Sequence, residues 1–177
     1  MTMDVIHREA MRIKRRYADT NLVRLCKAMG ITLLYEPMGV YEGTCKGFFL
    51  VHSRRMIITI NSDLPEEQQY AVLAHELGHA VLHRKSTGIN AFHDVGLYDD
   101  TSRLEYEANI FAAELLLEDG EVLELLNEGM PFFDMASTLC VPVEMLDFKF
   151  RTMKRRAYKV INPPLMAKGD FLKKTGV

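Results

Sequence analysis

The sequence predicts an α+β fold, a small three-stranded sheet with helices packed on it, and three observations point there. Three short apolar runs, two of them rich in β-branched residues, lie between residues 31 and 60. Helical periodicity covers most of the remaining chain. No internal repeat or low-complexity stretch interrupts either pattern. At 177 residues and 48% hydrophobic, the chain has material for one core, with room for a small appendage.

Taken in order, Asp4 to Tyr17 reads as a polar-faced helix with Val5, Ile6, Ala10 and Ile13 on its apolar side. Asp19 or Thr20 can cap a second helix, Asn21 to Met29, which Gly30 would end. Ile31 to Tyr35 alternates and reads as a strand. Phe48 to Val51 and Met56 to Ile60 flank His52-Ser53-Arg54-Arg55 in a hairpin pattern whose turn lacks a glycine. Ser62 or Asp63 can cap a helix from Pro65 to His83. Ser86 to Asp100 is rich in Gly, Asp and Asn and reads as a loop. Ser102-Arg103-Leu104-Glu105 then has the form of a capping box, in which Ser102 caps and Glu105 reaches back, opening a helix to Leu117. Glu118-Asp119-Gly120 breaks it. Shorter helices follow at Glu121 to Asn127, Phe133 to Leu139 and Pro142 to about Tyr158, before an extended tail with Pro163 and Pro164.

Composition excludes several classes. A formal net charge of −2 gives no bulk attraction to nucleic acid or membrane surfaces. Charge is uneven locally: Asp99 to Glu128 holds ten acids against Arg103, and Lys149 to Val177 holds nine bases against Asp170. Such runs are usually solvated faces, with a docking surface as the sharper alternative. Three widely spaced cysteines, Cys26, Cys45 and Cys140, argue against a disulfide framework and suit a reducing compartment. Met1 to Arg16 lacks the apolar core of a secretory signal, and no apolar run reaches membrane-spanning length. A cytoplasmic protein is expected.

His75-Glu76-Leu77-Gly78-His79 carries the chemistry. Four residues advance a helix by about 400°, so the two imidazoles stand about 40° apart on one face and can point at one cation. Glu76 neighbours a ligand without being one, and is placed to take a proton from water activated by that cation. A catalytic zinc site needs a third protein ligand. His83 lies one further turn along the same rigid helix and cannot easily complete a tetrahedral set, so it reads as a supporting neighbour or as a cation at the helix C-terminus. The metzincin solution needs a glycine and a histidine where this chain has Leu82 and Lys85. An acid from the following helix is the alternative, and Glu105, Glu107 and Glu114 are available. The capping box occupies Glu105; Glu107 and Glu114 both flank the apolar stripe of Leu104, Ala108, Phe111, Ala112 and Leu115. Spacing favours Glu107 without excluding Glu114.

The run His75-Glu76-Leu77-Gly78-His79-Ala80-Val81-Leu82-His83, followed by Glu105-Tyr106-Glu107-Ala108-Asn109-Ile110-Phe111-Ala112-Ala113-Glu114-Leu115-Leu116, resembles the ImmA/IrrE metallo-endopeptidases. The strand Ile57-Ile58-Thr59-Ile60-Asn61 and Leu34-Tyr35-Glu36-Pro37 are similar too, and the resemblance spans roughly residues 20–150. It departs at Leu117-Glu118, where the family usually has Met-Pro, which touches no ligand. The resemblance implies a zincin-like core, assigned to residues 1–118; the spacing of the later helices suggests a helical, helix-turn-helix-like extension over 119–160, and composition an extended basic tail over 161–177. It implies one zinc ion per chain, held by His75, His79 and Glu107; that ligand set prefers zinc over manganese. It also implies proteolysis of a helix-turn-helix DNA-binding repressor as protein substrate. A regulator that binds such a repressor without cutting it is the alternative, and the intact Glu76 speaks against it.

His83, His93, Tyr98 and Tyr106 are candidates to stabilise the oxyanion of peptide hydrolysis, and the hairpin's edge strand could take substrate by strand addition. Met135 to Leu146 has the rhythm of a helix-turn-helix, but its second helix starts with Val143, Glu144 and Asp147 rather than phosphate-binding residues. Packing onto the core or docking of a substrate is expected there, not direct nucleic-acid binding.

Overall fold

The three apolar runs form one sheet. In the computed structural model, which describes residues 1–18, 21–84, 100–169 and 171–172, the strands are β1 (Ile31–Glu36), β2 (Gly47–His52) and β3 (Arg55–Asn61). Their order is β1-β3-β2, with β1 parallel and β2 antiparallel to β3. The central strand carries Ile58 and Ile60, both fully buried. The register pairs His52 with Arg55, which leaves a two-residue turn of Ser53 and Arg54. Both have positive φ, 50° and 66°. The right-handed twist of a hairpin demands that geometry, and the missing glycine is overridden rather than avoided.

The helices are α1 (Met3–Tyr17), α2 (Leu22–Ala28), α3 (Glu66–Leu82), α4 (Asp100–Leu116), α5 (Asp119–Asn127), α6 (Phe132–Thr138) and α7 (Val143–Arg155). The cap of α2 is Asn21, whose side chain accepts from the Arg24 amide; Asp19 and Thr20 lie outside the described residues. Pro65 stands at the N-cap of α3 with no side-chain cap. Asp63 instead accepts from the Gly39 amide, at 2.6 Å. Asn61, fully buried, ties the loop before β2 to the start of α3: its carbonyl accepts from Met38 and Asp63, and its amide donates to Gly39 and Cys45.

α3 lies on β2 and β3, and α4 packs against α3, α1 and α7. α3 and α4 come close together at Gly78, where a Cβ would stand 3.0 Å from the Ala108 carbonyl oxygen and 3.1 Å from its Cα. That proximity carries the second metal-facing helix up to the first.

The C-terminal helices return to the same core. α7 buries Met145, Leu146, Phe148, Phe150 and Met153 among residues that run from Ile6 to Leu172 in one hydrophobic cluster. Asp147, Lys149 and Thr152 are buried with them. α6 precedes α7 across a short connection, and the two helices pack against each other. The segment after α7 has no regular structure in its described residues, yet it docks. The Ala167 amide donates to Asp147 and Phe171 stacks on Phe148. No described helix is long and apolar enough to cross a membrane.

Candidate metal centre

α3 presents His75 and His79 one turn apart, as four-residue spacing requires. Their Nε2 atoms are 3.1 Å from each other. Facing them from α4 is a carboxylate, and it belongs to Glu105. Its Oε2 lies 3.2 Å from His75 Nε2 and its Oε1 3.4 Å from His79 Nε2. His75, His79 and Glu105 form the one group of at least three potential metal donors among the described residues, with His75 and Glu105 buried and His79 slightly more open.

Glu107, the carboxylate expected at this point from the resemblance, lies on a neighbouring histidine in the structure. Two residues along a helix turn the side chain by about 200°, so Glu105 and Glu107 cannot serve the same point. Glu107 instead meets His83 Nε2 at 3.1 Å and Arg103 Nε at 3.0 Å, and also contacts the Met1 amine. The capping-box reading that removed Glu105 from consideration fails because α4 begins at Asp100, which puts Ser102 inside the helix rather than at its cap.

Glu114, the remaining alternative, points the other way. It is fully buried among α1 and α7, where its oxygens meet His7 Nδ1 at 2.8 Å, Lys149 Nζ at 3.0 Å, Arg156 Nη2 at 3.2 Å and the Thr152 hydroxyl. Lys149 also reaches Asp119 at 2.7 Å, and Arg156 pairs with the same carboxylate. These charges pin α1, α4, α5 and α7 together and leave the metal-facing side of α4 to Glu105.

Asn109, which sequence reasoning missed, organises the first ligand. Its Oδ1 lies 2.8 Å from His75 Nδ1, and its Nδ2 donates to the Gly169 carbonyl at 2.5 Å. The second contact fixes which end of the amide faces the ring, so His75 Nδ1 carries the proton and its Nε2 lone pair faces His79 and Glu105. The signal was present: Glu105 and Asn109 are an i, i+4 polar pair beside Ala108 and Ala112, on one helical stripe.

The electrostatics follow. Burial works against charge on Glu105, but His75 and His79 outweigh it and hold the carboxyl well below its usual range. Burial is also the largest influence on His83, aided by neighbouring His79, and lowers it to about 4, so this ring is neutral at pH 7.

The arrangement fits a metal. Zinc bonds of about 2.0–2.1 Å in tetrahedral geometry separate neighbouring donor atoms by about 3.3 Å. The observed separations of 3.1, 3.2 and 3.4 Å bracket that value. Nitrogen lone pairs and a carboxylate gathered this closely in a buried site repel unless a cation or proton lies between them. Glu76, beside His75 in sequence, is buried as well. Of the oxyanion candidates, His93 and Tyr98 lie outside the described residues. Tyr106 packs its ring edge-on against Phe148 of α7, with centroids 5.5 Å apart.

The sheet carries a helix whose two histidines face an acid from the next helix, and the proteins it is similar to are metallopeptidases by name. The chain belongs to the ImmA/IrrE family: the family model described as the IrrE N-terminal-like domain matches residues 26–151. Immunity region protein 2 of Bacillus phage phi105 is 30% identical over 145 residues, covering 82% of this chain and 89% of that protein. Metallopeptidase ImmA of Bacillus subtilis (strain 168) is 26% identical over 173 residues, 93% of this chain and 95% of its own length. The radiation response metalloprotease IrrE of Deinococcus deserti is 32% identical over 103 residues, 58% of this chain but 34% of IrrE.

Proposed function

We propose that this protein is a zinc-dependent endopeptidase in which His75, His79 and Glu105 hold the metal and Glu76 is the general base. The observation that carries this reading is the donor triangle with edges of 3.1 to 3.4 Å. Two imidazoles and one carboxylate suit zinc better than manganese, which prefers an oxygen-rich set. When bound, the metal supplies Lewis-acid polarisation of the scissile carbonyl and a lowered pKa for the attacking water. Glu76 takes a proton from that water and returns it to the leaving amine. Glu105 offsets positive charge at the site, and Asn109 keeps the His75 ring turned toward it. The strand β2, at the edge of the sheet, antiparallel to its neighbour and packed on α3, is where we place an extended substrate.

The substrate we propose is a helix-turn-helix repressor, cut in the cytoplasm. The phage relative is named for an immunity region and a second relative as metallopeptidase ImmA, which favours a role in controlling such a repressor. Cys26, Cys45 and Cys140 are all free thiols, as a reducing compartment requires.

The test incubates wild type and Glu76→Gln with candidate repressors, with and without chelator, and identifies products by mass spectrometry. Wild type should cut one of them, chelator should stop it and zinc restore it. Glu76→Gln should be slower by about 10²–10⁴-fold. Equal cutting by both proteins would overturn the mechanism. Tight binding of a repressor that wild type never cuts would replace it with a non-cleaving regulator.

A further inference from the structure

We infer that His83 and Glu107 act as a positioning pair that fixes the ring of His79 and the nitrogen it presents to the metal. The inference rests on the reading of His75, His79 and Glu105 as the metal site. It concerns residues that donate nothing to the metal themselves.

The argument is a chain of hydrogen-bond polarity. His79 turns Nε2 toward His75 and Glu105, which leaves Nδ1 as its outer nitrogen. That Nδ1 lies 3.1 Å from His83 Nδ1, and His83 Nε2 lies 3.1 Å from Glu107 Oε2. An ionised carboxylate can only accept, so the proton between His83 and Glu107 sits on His83 Nε2. A histidine that binds a metal through Nε2 keeps its own proton on Nδ1, so His79 Nδ1 donates and His83 Nδ1 accepts. This leaves the His79 Nε2 lone pair free, facing the donors with which it forms the site. Each link agrees with the one behind it, starting from a carboxylate that Arg103 holds at 3.0 Å.

Three features make the chain more than a contact. His83 and Glu107 are 3% and 4% exposed, so water cannot readily take over either role. The His83 amide donates to the His79 carbonyl at the end of α3, so the ring sits one turn beyond its target. The two ligand histidines are also supported differently, His75 by the neutral Asn109 amide and His79 by an imidazole with a carboxylate behind it. Outer partners of this kind orient a ligand ring and raise its basicity, and their loss costs about 10–100-fold in metal affinity.

The experiment measures zinc affinity by competition with a chromophoric chelator for wild type, His83→Phe, His83→Gln, Glu107→Ala, the double variant His83→Phe/Glu107→Ala, and Glu105→Ala. Circular dichroism checks the fold of each. Long-range nitrogen–proton NMR reads which nitrogen of His79 is protonated. His83→Phe and Glu107→Ala should each weaken zinc binding by about 10–100-fold. The double variant should be no weaker than His83→Phe, because the two residues act in series. His83→Gln, whose side-chain carbonyl can accept from His79 Nδ1, should recover most of the affinity and keep that proton in place. The inference is overturned if His83→Phe and Glu107→Ala bind zinc like wild type, or if their losses multiply in the double variant. If His83→Phe does not fold, His83→Gln and Glu107→Ala decide: a shifted His79 proton in Glu107→Ala alone supports the pair, and an unmoved one refutes it. Failure of the metal site itself looks different, with no zinc binding by wild type or undiminished binding by Glu105→Ala.

Discussion

Replacing glycine by alanine at two helical positions should move stability in opposite directions. In α3, a Cβ on Gly78 would meet three atoms of Ala108, the carbonyl oxygen at 3.0 Å, Cα at 3.1 Å and Cβ at 3.3 Å. Two of these are backbone atoms of a buried helix and cannot swing away. In α5, a Cβ on Gly120 would meet nothing within 4 Å. Alanine gains about 1 kcal/mol over glycine from helix propensity wherever the site has room. At Gly120 that gain stands nearly alone, at about 0.5–1 kcal/mol so close to the helix start. At Gly78 it is opposed by overpacking of about 2–3 kcal/mol, the upper part of the usual range because the obstacle is backbone. The net is a loss of about 1–2 kcal/mol. For a chain of this size that lowers Tm by about 2–8 °C, while Gly120→Ala raises it by about 1–4 °C. Thermal unfolding of the metal-free proteins, followed by circular dichroism, measures both. If Gly78→Ala melts at or above wild type, the close approach of α3 and α4 is not what sets this geometry.

Two further predictions concern the scaffold. Ser53 and Arg54 hold left-handed conformations in the turn between β2 and β3, so changing the pair to Asn-Gly should stabilise the protein by about 1–2 kcal/mol; an unchanged urea midpoint would contradict the turn assignment. Burial opposes ionisation of Glu114 and Asp119, but Lys149, Arg156 and their other partners outweigh it and lower both carboxyls from ordinary values of 4.5 and 3.8. A carboxyl depressed by folding contributes stability fully above its unfolded pKa and loses it as pH falls toward the folded value. Urea unfolding between about pH 6 and about pH 3 should therefore show stability falling below about 4.5, and less steeply in Asp119→Asn. An identical slope in the variant would remove Asp119 from that account.

The parts of this protein that are legible in its sequence are those set by short-range periodicity. The strands at 31, 48 and 56 and a hairpin between the last two follow from apolar runs, and the paired histidines follow from four-residue spacing on a helix; that the turn holds only Ser53 and Arg54 came from the register. The acid that faces the two histidines was harder, because it depends on where α4 begins and how it is rotated against α3. Reading Ser102 as a cap gave Glu105 a local task and moved the expected ligand to Glu107, which faces His83 instead. Local capping patterns do not report helix rotation, whereas the Gly78–Ala108 contact does. The docking of the tail through Gly169 and Phe171 had no signal in composition at all. It arises from partners far away in sequence, Asn109 and Phe148.

The central claim is that one metal ion sits between α3 and α4, held by His75, His79 and Glu105. An anomalous-difference map at the zinc absorption edge, from crystals of the zinc-loaded protein, tests it most directly. The account predicts a single peak about 2.0–2.2 Å from His75 Nε2, His79 Nε2 and a Glu105 oxygen. A peak bonded to Glu107 in place of Glu105, or none between the two helices, would contradict it.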